Sequence, residues 1–228
     1  MRHVMPAPLV RTVMPIAAAI ALSACSYSGG DIGNPLVRKV EWQSYVEGSD
    51  IRRTCGPGAP DRYRLVYNAI YDEQLRMYET DAVRRLLKIR VTHPGSASYL
   101  TAGDPLGPWQ AAETTIQLDS STFDRLVMAL DTSGLTAPPP VGLQLPSRSY
   151  FWTAAFCKDG RYGFTAWKYP SAAFRRITFD TILFANDPTG IAVAKAGPVP
   201  YDPVWEMENR GGAELSFTLA VGENGLMH

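Results

Sequence analysis

The sequence predicts an α+β fold, a mainly antiparallel β-sheet of about six or seven hairpin-connected strands with two helices packed on it. Three observations carry that expectation. Residues 62–71 alternate, with Tyr63, Leu65, Tyr67, Ala69 and Tyr71 on one side and Arg62, Arg64 and Asn68 among those on the other; a period of two with aromatic enrichment is the mark of a strand. Residues 150–157 and 161–167 flank Asp159-Gly160, a pair suited to the two positive φ angles of a type I′ hairpin turn. Phe123, Leu126, Val127 and Leu130 fall at i, i+3, i+4 and i+7, the apolar stripe of an amphipathic helix. Regular βαβ alternation and a Gly-rich phosphate turn are both missing, which sets aside a dinucleotide-binding sheet.

Taken in order, Val37 to Val46 reads as a first strand, and Cys55-Gly-Pro-Gly-Ala-Pro60 as a loop, because Gly and Pro punctuate regular structure. Asp72 to Leu87 contains strong helix formers that could equally make a helix, and is read as an extended ribbon. Leu87, Ile89 and Val91 alternate with Lys88 and Arg90 as a further strand. Residues 93–112 hold several Gly and Pro and are read as irregular. Thr114 to Leu118 forms a short strand leading into the helix, with Ser121 and Asp124 spaced as a capping box and Gly134 placed for a left-handed C-terminal cap.

In the hairpin, a two-residue loop sets Lys158 opposite Arg161 and Cys157 opposite Tyr162. Trp152, Phe156 and Trp167 then share one face and Phe151, Tyr162 and Phe164 the other, so both faces are expected to be covered. Helical spacing returns at Phe174, Ile177, Thr178, Thr181, Ile182 and Ala185, with Ser171 as the cap. Asp187-Pro188 ends that helix, since proline disfavours helical geometry in its predecessor. A last strand alternates Leu215, Phe217, Leu219 and Val221.

The N-terminus has a different character. Arg2, His3 and Arg11 give a basic start, no acid precedes Asp31, and Thr12 to Ala21 is an apolar run of about ten residues, half of the roughly 20 needed to span a bilayer core. A basic start, a short apolar stretch and small residues at its end describe a secretory signal. The quartet Leu22-Ser23-Ala24-Cys25 resembles the lipobox of bacterial lipoproteins: an aliphatic residue, two small ones, then the cysteine that receives the lipid. The resemblance covers about a tenth of the chain and implies cleavage before Cys25, with the membrane reached through lipid on that residue. Ser26, where some lipoproteins carry Asp, points by the same analogy to the outer membrane. Residues 25–35 are then expected as a flexible tether and 36–228 as one globular domain.

Taking away the 24-residue signal leaves 204 residues, enough for one well-buried core, with 20 basic against 22 acidic residues and a charge of −2. A near-neutral chain without a basic run carries no electrostatic footprint for nucleic acid. Mean hydropathy of −0.11 and 11% aromatic residues fit a folded domain. With Cys25 lipidated, Cys55 and Cys157 remain, and in an oxidising envelope compartment a disulfide is the simplest use of the pair. A catalytic thiol needs a nearby base, and two distant cysteines without a CxxC are a poor zinc signature.

Catalytic candidates are few. His93, in Thr92-His93-Pro94-Gly95-Ser96 at a strand end, offers itself as a general base beside a Ser, against a plain exposed loop residue. Asp72-Glu73, Glu79 with Asp81, and Glu206 with Glu208 offer paired carboxylates, which glycoside hydrolysis requires roughly 5–10 Å apart across a cleft. Neither a GxSxG elbow nor an HExxH, P-loop or EF-hand motif occurs, so no cofactor or metal is expected. Trp109, Tyr201 and Trp205, with the Pro-rich loop 137–146, offer aromatic contacts to a glycan or another envelope protein. The expectation is a membrane-anchored envelope protein with a non-enzymatic binding or structural role; the competing expectation is a hydrolase of cell-wall glycan or peptide.

Overall fold

A computed structural model describes residues 26–94, 103, 105–203, 206–207 and 216–227. The segment 1–24 expected as a signal, Cys25, Trp205, Glu208 and Leu215 lie outside the described residues. A six-stranded antiparallel sheet forms the centre, in the order β4-β3-β2-β1-β6-β7. Its strands are β1 (Arg62–Ala69), β2 (Gln74–Asp81), β3 (Leu86–Val91), β4 (Ala112–Gln117), β6 (Tyr150–Lys158) and β7 (Arg161–Lys168). A second, three-stranded sheet, β5 (Gln144–Pro146), β8 (Thr218–Gly222) and β9 (Gly225–Leu226), has the order β5-β8-β9. The α+β class and antiparallel pairing agree with the sequence reading.

Val37 to Val46 is not a strand. It lies within helix α1 (Pro35–Glu47). Asn34 caps the helix by accepting from the Leu36 and Val37 amides, Pro35 fills the first position, and Gly48 closes the helix in the left-handed region at φ 72°. The buried stripe is Arg38, Trp42, Tyr45 and Val46; an arginine in the stripe, with valines of high β propensity around it, hides the helical period. Gly48 is also the turn into helix α2 (Ser49–Thr54), and a Cβ there would stand 2.5 Å from that of Ala155.

The first described residues are packed as well. Tyr27 and Ile32 are buried, Tyr27 N–H donates to Ser44 Oγ at 2.8 Å, and the Tyr27 ring meets Tyr45 edge-on at 4.9 Å. The stretch from Tyr27 to Ile32 is therefore part of the fold rather than the free tether expected for 25–35.

The 72–87 stretch is extended, as read, but divided: β2 and β3 pair with Glu79 opposite Lys88. β1 ends at Ala69 because Ile70 turns at φ 61°. Tyr71 consequently leaves the row of Tyr63, Leu65 and Tyr67 and packs with Trp42 and Phe217 on the other face. The 150–168 hairpin has the expected register, Lys158 opposite Arg161 and Cys157 opposite Tyr162, with Asp159 and Gly160 at φ 51° and 70°. Cys55 and Cys157 are joined by a disulfide with Cα atoms 5.5 Å apart, tying the loop before β1 to the end of β6.

The short 3₁₀ turn Gly107–Trp109 precedes β4. Helix α3 (Ser120–Thr132) is capped by Asp119, not Ser121: the Asp119 carboxylate accepts from Thr122 N–H at 2.9 Å and from the Ser121 hydroxyl at 2.6 Å. Gly134 turns left-handed just past its end, at φ 88°. The second predicted helix is two: α4 (Ala172–Arg175), capped by Ser171, and α5 (Phe179–Ala185).

Both faces of the large sheet are covered. On one, α3, α4, α5 and residues 191–196 enclose a core centred on Trp152, Tyr67, Leu65 and Phe179. On the other, α1, α2, Tyr27, Ile32 and the small sheet enclose Phe151, Val66, Met77 and Leu145. The two-faced hairpin is as expected, while the covering of the second face by helices is not.

Candidate functional site

Strand alternation puts Arg64 of β1, Glu79 of β2, Lys88 and Arg90 of β3 and Glu113 of β4 on the face that α1 covers. Register sets Arg64 opposite Glu79, Glu79 opposite Lys88, and Arg90 opposite Glu113. The result is a ladder of alternating charge across four strands. Arg64 reaches Glu79 at 3.3 Å, Arg90 reaches Glu79 and Glu113 at 2.6 Å each, and Lys88 reaches Glu113 at 2.7 Å.

The inner end of the ladder is buried and the outer end is wet. The Arg64 side chain is 1% exposed, against 42% for Glu113. Asp50 of α2 receives both terminal nitrogens of Arg64, at 2.7 and 2.9 Å, the two-pronged geometry that suits a guanidinium. The rings of Tyr45 and Tyr27 hold the same group at 4.1 and 4.9 Å. Tyr45 donates its hydroxyl to Glu79 at 2.9 Å. Burial alone would raise the Glu79 carboxyl; the charges of Arg64 and Arg90, with the Tyr45 and Arg90 hydrogen bonds, overturn that and hold it at about 2. For Tyr27, burial and then the Glu79 charge push the phenol up to about 12. Glu79 is thus an anion and Tyr27 a neutral donor across the physiological range.

Outside the covered part, the sheet surface opens into a groove of about 640 Å³ lined by Arg62, Glu79, Asp81, Arg84, Leu86 and Lys88, among others. Arg62 also faces Asp50 at 3.5 Å, and Asp81 accepts from the Arg84 amide at 3.0 Å. Such a surface presents fixed charges to a ligand. A general acid needs its carboxyl raised toward neutrality, and Glu79 has been moved the other way.

The other candidates are scattered. His93 lies exposed beyond β3, with Nδ1 3.1 Å from the Pro94 carbonyl oxygen. Asp72 and Glu73 are exposed at the β1–β2 turn; partial desolvation draws the Asp72 carboxyl upward, against the pull of Arg148. Glu79 and Asp81 share a strand face, but the first serves the ladder and the second the turn. Glu206 is half-buried.

Trp109 is half-buried in the 3₁₀ turn, and its carbonyl accepts from Arg38 at 3.4 Å. Tyr201 is 78% exposed, on the segment whose Asp202 faces Arg148 at 3.9 Å. Among the described residues no group of three or more His, Cys, Asp or Glu side chains is gathered to hold a metal ion, and no helix is long and apolar enough to cross a membrane. The ladder itself escaped the sequence reading, because Arg64, Lys88 and Arg90 at alternating positions look like a solvated face. The signal was opposite charge at matching offsets in neighbouring strands, which becomes visible only with the register. No protein-family model matches the chain, and a search of curated proteins finds no relative.

Proposed function

We propose that the chain is a lipid-anchored protein of the bacterial cell envelope, held in the outer membrane through Cys25, with a folded part that binds or braces rather than catalyses. The observation that carries the reading is the Cys55–Cys157 disulfide, a cross-link characteristic of oxidising compartments, on a chain that begins with a secretory signal and Leu-Ser-Ala-Cys. The non-catalytic part of the reading is supported by the use of the buried charges: Glu79, Arg64, Asp50 and Arg90 neutralise one another, and His93 stands in the open. The charged groove beside the ladder is the surface we assign to a polar partner, an envelope protein or a glycan.

Two measurements test this. Intact mass spectrometry of protein purified from membranes is expected to show an acylated N-terminal Cys25, absent from a Cys25→Ser form; an unmodified N-terminus elsewhere sinks the anchor. Incubation with purified cell-wall sacculi is expected to give retention weakened by Arg62→Glu with Lys88→Glu, and no released fragments. Release of fragments that stops in His93→Ala would instead establish the hydrolase reading.

A further inference from the structure

We infer that the outer ridge of α1 is a membrane contact, so that the protein lies on the bilayer with this helix against the lipid. This rests on the lipid-anchored reading above. The argument begins with reach. Only Ser26 separates Cys25 from Tyr27, and two residues of fully extended chain span at most about 7 Å. Tyr27 itself cannot swing, because its ring is buried against Tyr45 and Arg64 and its amide is bonded to Ser44. A lipid on Cys25 would therefore hold a fixed point of the folded surface close to the bilayer, not a domain on a tether.

That fixed point lies along α1. The chain from Tyr27 onward runs beside the helix in the reverse direction. Tyr27 is bonded to Ser44, a Cβ at Gly30 would stand 3.8 Å from Val37, and Asn34 caps the helix start. Next to this strip, one ridge of α1 carries Leu36 and Val40, each 60% exposed, with exposed Lys39 and Gln43 beside them. Two large aliphatic side chains one turn apart on an exposed helix face, flanked by a lysine, are the groups that would meet a lipid surface, apolar inward and the cation at the headgroups. Continuity with the anchored residue names the occupant: the bilayer surface itself.

The experiment uses the full lipidated protein in phosphatidylethanolamine–phosphatidylglycerol vesicles, pulsed with a water-soluble lysine-acylating reagent and read by peptide mass spectrometry. Lys39 lies on the α1 ridge, and exposed Lys195 lies on the segment covering the opposite face of the sheet. Lys39 is expected to label several-fold less in vesicles than after the vesicles are dissolved in detergent, while Lys195 stays unchanged. A Leu36→Glu, Val40→Glu double variant, altered only at exposed positions, is expected to remain anchored and to recover Lys39 labelling. Equal labelling of both lysines in vesicles, protection of Lys195 instead, or protection of Lys39 that survives the double variant overturns the contact. With acylated Cys25 in the same spectra, each of these outcomes leaves the anchor standing. Absence of the lipid removes both readings together.

Discussion

The two faces of the central sheet solve the same burial problem with opposite chemistry. Under α3, α4 and α5 the sheet is covered by rings: Trp152 stacks on Tyr67 at 4.9 Å and meets Phe179 edge-on at 5.2 Å, with Phe184 and Tyr78 within 6.0 Å. One buried ion pair, Arg76 with Asp187, interrupts the apolar surface, and its arginine also donates to the Ile191 carbonyl. Together with Gln74, which bonds Ala192 and Ala194, that arginine fastens residues 187–194 across the sheet. Under α1 and α2 the apolar core of Phe151, Val66 and Met77 is bordered by a row of charges crossing four strands, paired from one to the next. The lesson is that an apolar face tolerates independent losses, whereas a charged face has to be complete: each removed partner strands the others in low dielectric.

The contrast gives its largest expected effect on the aromatic side. Trp152→Ala removes the centre of the ring cluster and should cost about 3–5 kcal/mol in denaturant unfolding, the range for buried aromatic truncation. A loss below 1 kcal/mol would show that the cluster is not the stabilising centre.

On the charged side, Glu79→Ala leaves Arg64 and Arg90 without their shared anion and is expected to cost about 3–5 kcal/mol, as for other broken buried pairs. Adding Arg64→Met and Asp50→Leu to that variant replaces the remaining Arg64–Asp50 ion pair by apolar side chains and should return part of the loss. Strict additivity of the three substitutions would break the comparison.

Acid should weaken the charged face through Glu79. The folded Glu79 value of about 2 lies below its ordinary 4.5, so this group favours the folded state above 4.5. That contribution fades as the pH falls from 4.5 toward 2. Its size is on the order of 3 kcal/mol. Urea midpoints across that range should drop less steeply in Glu79→Gln than in the parent, and equal slopes would place the acid sensitivity elsewhere. The smallest effect is at the α1 ridge: Leu36→Glu with Val40→Glu should change stability by no more than about 0.5 kcal/mol per site, as is usual for exposed positions, which keeps the vesicle experiment free of unfolding.

How far the sequence reached differs between these faces for a physical reason. Tyr63, Leu65, Trp152, Phe156 and Trp167 announce their burial by apolar alternation, so the aromatic face was readable residue by residue. Arg64, Glu79, Lys88 and Arg90 alternate in the same way, yet charge at a strand position reads as solvent exposure until a partner is known. The α1 helix was misread for a related reason. Its buried stripe contains Arg38, which is satisfied by the Ile32, Gly33 and Trp109 carbonyls, contacts up to 71 residues away in sequence. The end signals were present in Asn34-Pro35 and Gly48, and weighing them above the valines would have found the helix.

The sequence by itself determined the antiparallel α+β class, the Asp159-Gly160 hairpin and its register, and the α3 stripe, while the disulfide expected for Cys55 and Cys157 once Cys25 is set aside joins residues 102 apart in sequence. The first three follow from backbone geometry and periodicity, which act over a few residues. Only the tertiary structure decided which polar residues are interior, that Tyr27 and Ile32 belong to the fold, and that one row of charge crosses four strands. Those depend on which segments meet, and burial of a charge is affordable only where a partner from elsewhere in the chain arrives to receive it.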